Sequence, residues 1–157
     1  MNIGIYARVS TSDKNQDPEN QLRELRAYCK AREFEILKEY VDVGQSGAKD
    51  SRPKLNDLLN DARKRKIDAI LVWRMDRFSR DLKFLFTTID SLNQIGIGFI
   101  SYHENLDLTT AAGRLQMQVF SAFAEYEKNV IKERVLSGLQ KLEKQEESED
   151  GPERAWI

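Results

Sequence analysis

Residues 69–73, Ala-Ile-Leu-Val-Trp, form an unbroken apolar run behind Asp68. A strand with one wet face alternates polar and apolar residues, so a run without alternation predicts a strand covered on both faces, central in a parallel sheet. The flanking sequence supplies partners and covers in the right order. Ile3–Arg8 reads as a second buried strand. Asp17 as N-cap, Pro18 in the first turn, and Leu22, Leu25, Arg26 and Cys29 at three- and four-residue steps predict a helix that stops before Phe34. Glu35–Val43, with apolar Ile36, Tyr40 and Val41 among polar neighbours, predicts a strand feeding the loop Gly44-Gln45-Ser46-Gly47. Pro53 opens a helix carrying Leu55, Leu58, Leu59 and Ala62; Leu82–Asn93 is helical by spacing and Ile97–Ser101 is another strand. Strands and helices in alternation predict an α/β fold with a mostly parallel central sheet and helices on both faces.

From Ala111 to Gln145 there is no proline, and Leu115, Val119, Phe123, Tyr126, Val130 or Ile131, Val135, Leu139 and Leu142 recur at helical steps. At 1.5 Å per residue, some 30 residues would reach about 45 Å, more than a sheet of this size needs for cover. The first half of this helix has two equal readings, packing on its own sheet or waiting for a partner. The second half has no domain left to cover it, which predicts self-association. Gly138 is expected to loosen the last turns. Residues 145–153 hold five acids and no base, a pattern that predicts a solvated, disordered tail. The expected organisation is therefore a catalytic α/β domain over residues 1–110, an interface helix over 111–145, and an acidic tail over 146–157.

The 157 residues and 40% hydrophobic content fit a single core. Net charge is -1, so nucleic-acid contact must come from a local patch rather than from a basic body. One cysteine, Cys29, read as a half-buried helix residue, excludes an internal disulfide. One histidine, His103, read as a loop residue, excludes a multi-imidazole zinc site. No apolar run approaches a membrane span and the N-terminus lacks a signal-peptide layout, which predicts a cytoplasmic protein, nucleoid-associated when bound to DNA.

In an open parallel sheet, ligands bind off the carboxyl ends of the strands. The first strand exits through Arg8-Val9-Ser10-Thr11-Ser12, a cation among hydroxyls. The Ala69–Trp73 strand exits through Arg74-Met75-Asp76-Arg77-Phe78-Ser79-Arg80-Asp81, where three arginines at three-residue steps are expected to share one helical face. Residues 63–80 hold seven Lys or Arg against two Asp. With Arg52 beside the glycine loop, up to four guanidinium forks are predicted to converge on one phosphate near a serine hydroxyl. Fixed cations there stabilise the charge that builds on the equatorial oxygens of an attacked phosphodiester, without a metal. Each signal has a plainer reading: Ser10 as a turn or cap hydroxyl, Arg77 and Arg80 paired with Asp76 and Asp81, and residues 63–66 as a solvated helix end.

Taken together, Tyr6-Ala7-Arg8-Val9-Ser10-Thr11, Asp42 with Ser46-Gly47, Arg52-Pro53 with Leu58-Leu59, Asp76-Arg77 with Ser79-Arg80, and Thr110, Gly113, Ala124-Glu125 and Glu127 resemble the serine recombinases of the resolvase and invertase family. The resemblance spans roughly residues 1–142 and implies a resolvase-like fold. It implies that Ser10 attacks a DNA phosphodiester, leaving a 5′-phosphoserine link and a free 3′-hydroxyl. Arg8, Arg77 and Arg80 would bind the scissile phosphate and Arg52 would assist. Gln21 and Asp76 would complete the pocket, Asp76 by orienting Arg77 or by proton transfer. It implies double-stranded DNA as partner, no metal and no cofactor, and a homodimer assembling into a homotetramer through the 111–142 helix, which in the family rests against the DNA minor groove.

Two departures stand out. Glu127-Lys128 replaces the family's Glu-Arg, so Lys128 is the expected, weaker DNA contact. A family lysine falls only after a gap near Asp61–Lys64, where Arg63 is the candidate. Past residue 145 neither a basic linker with a helix-turn-helix nor a long Cys-bearing extension is found, so the chain reads as a catalytic domain alone. A non-catalytic oligomerising regulator lacking its own DNA-reading domain is the alternative, and a metal-free enzyme acting on small phosphates is a third reading.

Overall fold

A computed structural model describes residues 1–10, 18–44 and 51–149, with Ser10 and Glu149 described by backbone alone. Residues 1–117 form one compact unit and residues from 118 onward another. In the first, β1 (Asn2–Ser10), β2 (Glu35–Gly44), β3 (Ala69–Val72), β4 (Gly98–Ser101) and β5 (Leu106–Asp107) build one sheet in the order β2-β1-β3-β4-β5. The first four strands are parallel and β5 is antiparallel to β4. The helices are α1 (Pro18–Ala31), α2 (Pro53–Arg63), α3 (Met75–Phe78), α4 (Leu82–Gln94) and α5 (Ala111–Glu149). The α/β fold, with β3 central and fully buried, is as the 69–73 run predicts.

Period-two alternation along β1 divides the core. Ile3, Ile5 and Ala7 pack with Leu22, Leu25 and Cys29 of α1. Tyr6 packs on the other face with Leu55, Leu58, Leu59 and Ala62 of α2, Phe78 of α3, and Leu85, Ile89 and Leu92 of α4. Burying each large aliphatic side chain is worth about 1.5–3 kcal/mol, so both helical layers are held by their apolar stripes. Arg26, counted with the stripe of α1, instead reaches across to β2 and binds both oxygens of Glu39 at 2.5 and 2.8 Å. Cys29 is fully buried rather than half-buried.

Several expectations need correction. Arg74, Arg77 and Arg80 do not share a helical face: α3 is a single turn, and Arg74 and Ser79 on either side of it are extended. Both α3 and β5 are too short for periodicity to reveal. α5 runs through Gly138 and on through Glu146, Glu147 and Ser148, so the acidic tail, expected to be disordered, begins as helix. The cap at Asp17, the 45–50 loop and residues 150–157 lie outside the described residues.

The entry to α5 is built closely. Thr110 Oγ1 accepts from the Gly113 N–H at 3.0 Å and donates to the Asp107 carbonyl at 2.8 Å. A methyl group on Gly113 would stand 1.8 Å from that same carbonyl oxygen, so only glycine fits. Within Ala111–Met117 just Gly113 and Met117 are buried, and Leu115 is exposed. These seven residues thus put only Gly113 and Met117 into the first unit's interior. In the second unit, Val119, Phe123, Tyr126, Ile131, Val135, Leu139 and Leu142 are all exposed. No helix among the described residues is long and apolar enough to cross a membrane.

Candidate active site

One cleft of about 570 Å³ is lined by Arg8, Arg52, Leu55, Asn56, Ser79, Arg80, Asp81 and Phe84. It brings together residues from β1, the start of α2 and the segment between α3 and α4, which lie far apart in sequence. Three of the predicted arginines, Arg8, Arg52 and Arg80, therefore share one wall-to-wall space. Among the described residues the lining sets one carboxylate against three cations: Asp81, whose oxygen is engaged by the Lys83 and Phe84 N–H groups at 3.0 and 3.4 Å as the N-cap of α4.

Each arginine is placed by a definable device. Arg8 follows Tyr6 on the α2 side of β1, and its guanidinium lies over Gly44 at the end of β2, where an added methyl would touch it at 3.5 Å. Arg52 immediately precedes α2 and donates from Nη1 to the carbonyl of Phe78 at 2.5 Å, tying the start of α2 to the end of α3. Arg80 follows Ser79, which is buried; the Ser79 hydroxyl donates to the Asp81 carbonyl at 3.2 Å and accepts from the Asp81 N–H at 3.1 Å.

Beneath the cleft stands a buried carboxylate that the sequence reading used only as a motif position. Asp42 accepts from the Tyr6 hydroxyl, the Lys54 N–H and the Leu55 N–H, each at 3.0 Å. The two N–H groups belong to the first turn of α2 and have no acceptor within the helix, so Asp42 caps α2 from β2 and fixes Arg52 beside it. Burial, and then the neighbouring Asp42 charge, push the Tyr6 phenol well above its ordinary range, while Arg52 and Arg8 pull the other way. Tyr6 thus stays a neutral donor beneath the arginines. A signal existed in the sequence: Asp42 shares the inward phase of β2 with Tyr40, and a polar residue in that phase needs a partner.

The remaining predicted residues are placed as follows. Ser10 ends β1, paired with Gly44, two residues beyond Arg8; its side chain lies outside the described residues. Arg77 is half-buried on α3, directly before Phe78. Asp76, on the same turn, lies 3.4 Å from Arg74 Nη2, with both side chains about half exposed. Gln21 is buried on α1, where its Oε1 has no hydrogen-bond partner among the described residues. Asp76, Arg77 and Gln21 are not among the residues that line the cleft, so of the predicted phosphate-binding arginines Arg77 is not brought to it with Arg8, Arg52 and Arg80. Lys128 is exposed on α5 in the second unit, and Arg63 ends α2.

A family model described as "Resolvase, N terminal domain" matches residues 3–148. The chain is 39% identical over 140 residues to the transposon Tn552 resolvase of Staphylococcus aureus, covering 88% of this chain and 65% of that protein. It is 35% identical over 139 residues to the serine recombinase gin of Escherichia phage Mu, covering 88% of this chain and 66% of that protein. The chain thus spans slightly less than two thirds of these relatives. Among solved structures, the N-terminal catalytic domain of TP901-1 integrase superposes with a TM-score of 0.73 at 33% identity, covering 83% of this chain and 98% of that one.

Proposed function

The chain belongs to the resolvase family through its N-terminal domain, and from that premise we propose that it is the catalytic part of a site-specific serine recombinase, with Ser10 as the nucleophile that opens and reseals DNA phosphodiesters. The observation that carries this reading is the convergence of Arg8, Arg52 and Arg80 on one cleft at the end of the strand that finishes with Ser10. Guanidinium groups bind phosphate oxygens in bidentate pairs and keep their charge at every working pH. Held in place before reaction, they stabilise charge developing on the attacked phosphate more than charge already present in the ground state. In this reading Arg8, Arg52 and Arg80 hold the phosphate, Arg77 approaches from the α3 turn, and Gln21 and Asp76 support them.

Attack by the Ser10 oxygen, which gives up its proton, forms the bond to phosphorus and breaks the bond to the 3′ oxygen, which takes up a proton and leaves as a hydroxyl. The phosphodiester energy is kept in a 5′-phosphoserine link, so rejoining needs no nucleotide cofactor. Strand exchange requires more than one active subunit. The exposed apolar residues of α5 support self-association into a homodimer and then a homotetramer, with Lys128 on the same helix as a contact to the DNA backbone. Action on DNA places the protein in the cytoplasm, at the nucleoid.

The test fuses the chain to a DNA-binding domain of known site and assays covalent adducts on supercoiled DNA in EDTA, stopped with detergent, with Ser10→Ala alongside. A 5′-linked adduct that needs Ser10 is expected. A folded, site-bound fusion that forms none, even with activating substitutions in α5, would favour a non-catalytic assembly module instead.

A further inference from the structure

The loop between β4 and β5 carries a carboxylate that the reading above does not use. Glu104 is half-buried; its carboxylate accepts from the Ser101 hydroxyl and from the Met75 N–H, the latter at 3.2 and 3.3 Å to its two oxygens. Ser101 ends β4 and is buried, while Met75 begins the one-turn α3 that carries Asp76 and Arg77. An N–H at the first position of a helix finds no acceptor within that helix. Glu104 supplies one from a different part of the chain.

The backbone explains how the loop delivers it. Tyr102 N–H to Val72 O at 3.0 Å and His103 N–H to Trp73 O at 2.9 Å extend the β3–β4 ladder past the ends of both strands. Asn105 then takes a left-handed conformation, with φ of 50°, and its N–H returns to the Tyr102 carbonyl at 3.2 Å, closing the turn that presents Glu104 to α3. At its other end α3 is anchored by the Phe78 ring, packed edge-on against Tyr6 and Phe99, and by the Arg52 bond to the Phe78 carbonyl. Phe78 and Arg52 fix the end of the turn. Glu104 fixes its beginning, and Arg77 lies between.

We propose that Glu104 is a positioning residue for phosphate cleavage, holding the α3 turn so that Arg77 meets the scissile phosphate in register. This rests on the recombinase reading. The side chain touches no substrate in this scheme; it acts through Met75 and the turn. Because Phe78 stays buried when Glu104 is shortened, the fold is expected to survive and the turn to loosen.

The fused protein described above tests this. Glu104→Ala is expected to slow adduct formation at saturating DNA by on the order of tenfold or more, the scale on which small misplacements act, while half-saturating DNA concentration stays unchanged. Glu104→Gln keeps an oxygen that accepts both bonds and is expected to restore the rate to within about threefold. Glu104→Ala cleaving at the wild-type rate, or Glu104→Gln as slow as the alanine variant, would overturn the proposal. Should Glu104→Ala not fold, Ser101→Ala removes one of the two bonds and is read on the same two axes. Amide exchange on the unfused chain separates this idea from its premise. Met75 is expected to exchange faster in Glu104→Ala while Ile70 and Leu71 do not. An unchanged Met75 sinks the role of Glu104 with recombinase chemistry intact. A wild-type fusion without adducts sinks the recombinase reading, and with it the catalytic consequence.

Discussion

Replacing Asp42 with alanine strips three donors of their acceptor at once, because the Tyr6 hydroxyl and the Lys54 and Leu55 N–H groups all bond to that carboxylate. Leaving the buried phenol hydroxyl unsatisfied costs about 1–3 kcal/mol. Each lost bond at the start of α2 is comparable to a missing N-cap, about 1 kcal/mol. Removing a buried carboxylate returns part of this by relieving its desolvation, so a net loss of about 3 kcal/mol is expected. For a unit spanning Met1–Met117, an unfolding entropy of about 2.1 cal/mol/K per residue converts that to a fall in Tm of about 12 °C. Calorimetry at neutral pH measures it directly. A double-mutant cycle with Tyr6→Phe isolates the pair: the phenylalanine is expected to cost about 1 kcal/mol alone and to recover about 1–3 kcal/mol when Asp42 is already alanine, because it removes the orphaned hydroxyl. A Tm within about 3 °C of wild type, or strict additivity of the two substitutions, would refute the claim that Asp42 ties β1 and β2 to α2.

Gly113→Ala sets a methyl 1.8 Å from the Asp107 carbonyl oxygen, and urea unfolding should show a loss of about 1–3 kcal/mol; a neutral result would mean the helix entry is relaxed. Gly138 meets nothing within 4 Å, so Gly138→Ala should raise stability by about 0.5–1 kcal/mol through helix propensity. A drop in Tm for that variant would show that the position is covered in solution. Burial pushes the Cys29 thiol up to about 11 from an ordinary 9.0. The folded state therefore binds the proton more tightly, its stability is full below pH 9, and it is lost as pH rises from 9 toward 11. The Tyr6 and Tyr40 phenols, also raised chiefly by burial, add a loss of the same sign at the top of that range. Urea midpoints compared at pH 8 and pH 10.5 should fall further for wild type than for Cys29→Ala, and equal falls would contradict this assignment.

Elements were legible where hydrophobic period and punctuation agreed. Residues 69–72 lack any polar phase and form the central strand; Leu55, Leu58, Leu59 and Ala62 mark the buried face of α2 and all four are buried. The turn α3 and the two-residue β5 were not legible, because neither completes a period. The residue types of the cleft could be named from clustered arginines and the family resemblance, but not their meeting. That Arg8 and Arg52 face one space depends on the β1–β2 register and on Asp42 capping α2, pairings between separate elements that no local pattern encodes. Glu104 was invisible for the same reason: its partner lies twenty-nine residues earlier in the chain. The apolar stripe of α5 was readable as a stripe, yet whether a sheet or a second molecule covers it is a question of tertiary distance, and Leu115 lies outside the core.

The strand order also sets a timetable for synthesis. β1 precedes the other four strands in the chain, yet it lies between β2 and β3. Its first residues are closed on that inner side by the Asn2 N–H on Asp68 at 2.6 Å and the Asp68 N–H on the Asn2 carbonyl at 2.7 Å. Ile3 and Ile5 must therefore wait, apolar and half-paired, until the chain has been made through Val72. Such long-range pairing slows folding. A growing chain stalled before residue 69 would carry a sticky, unclosed β1 edge and would depend on chaperones to keep it from other nascent chains.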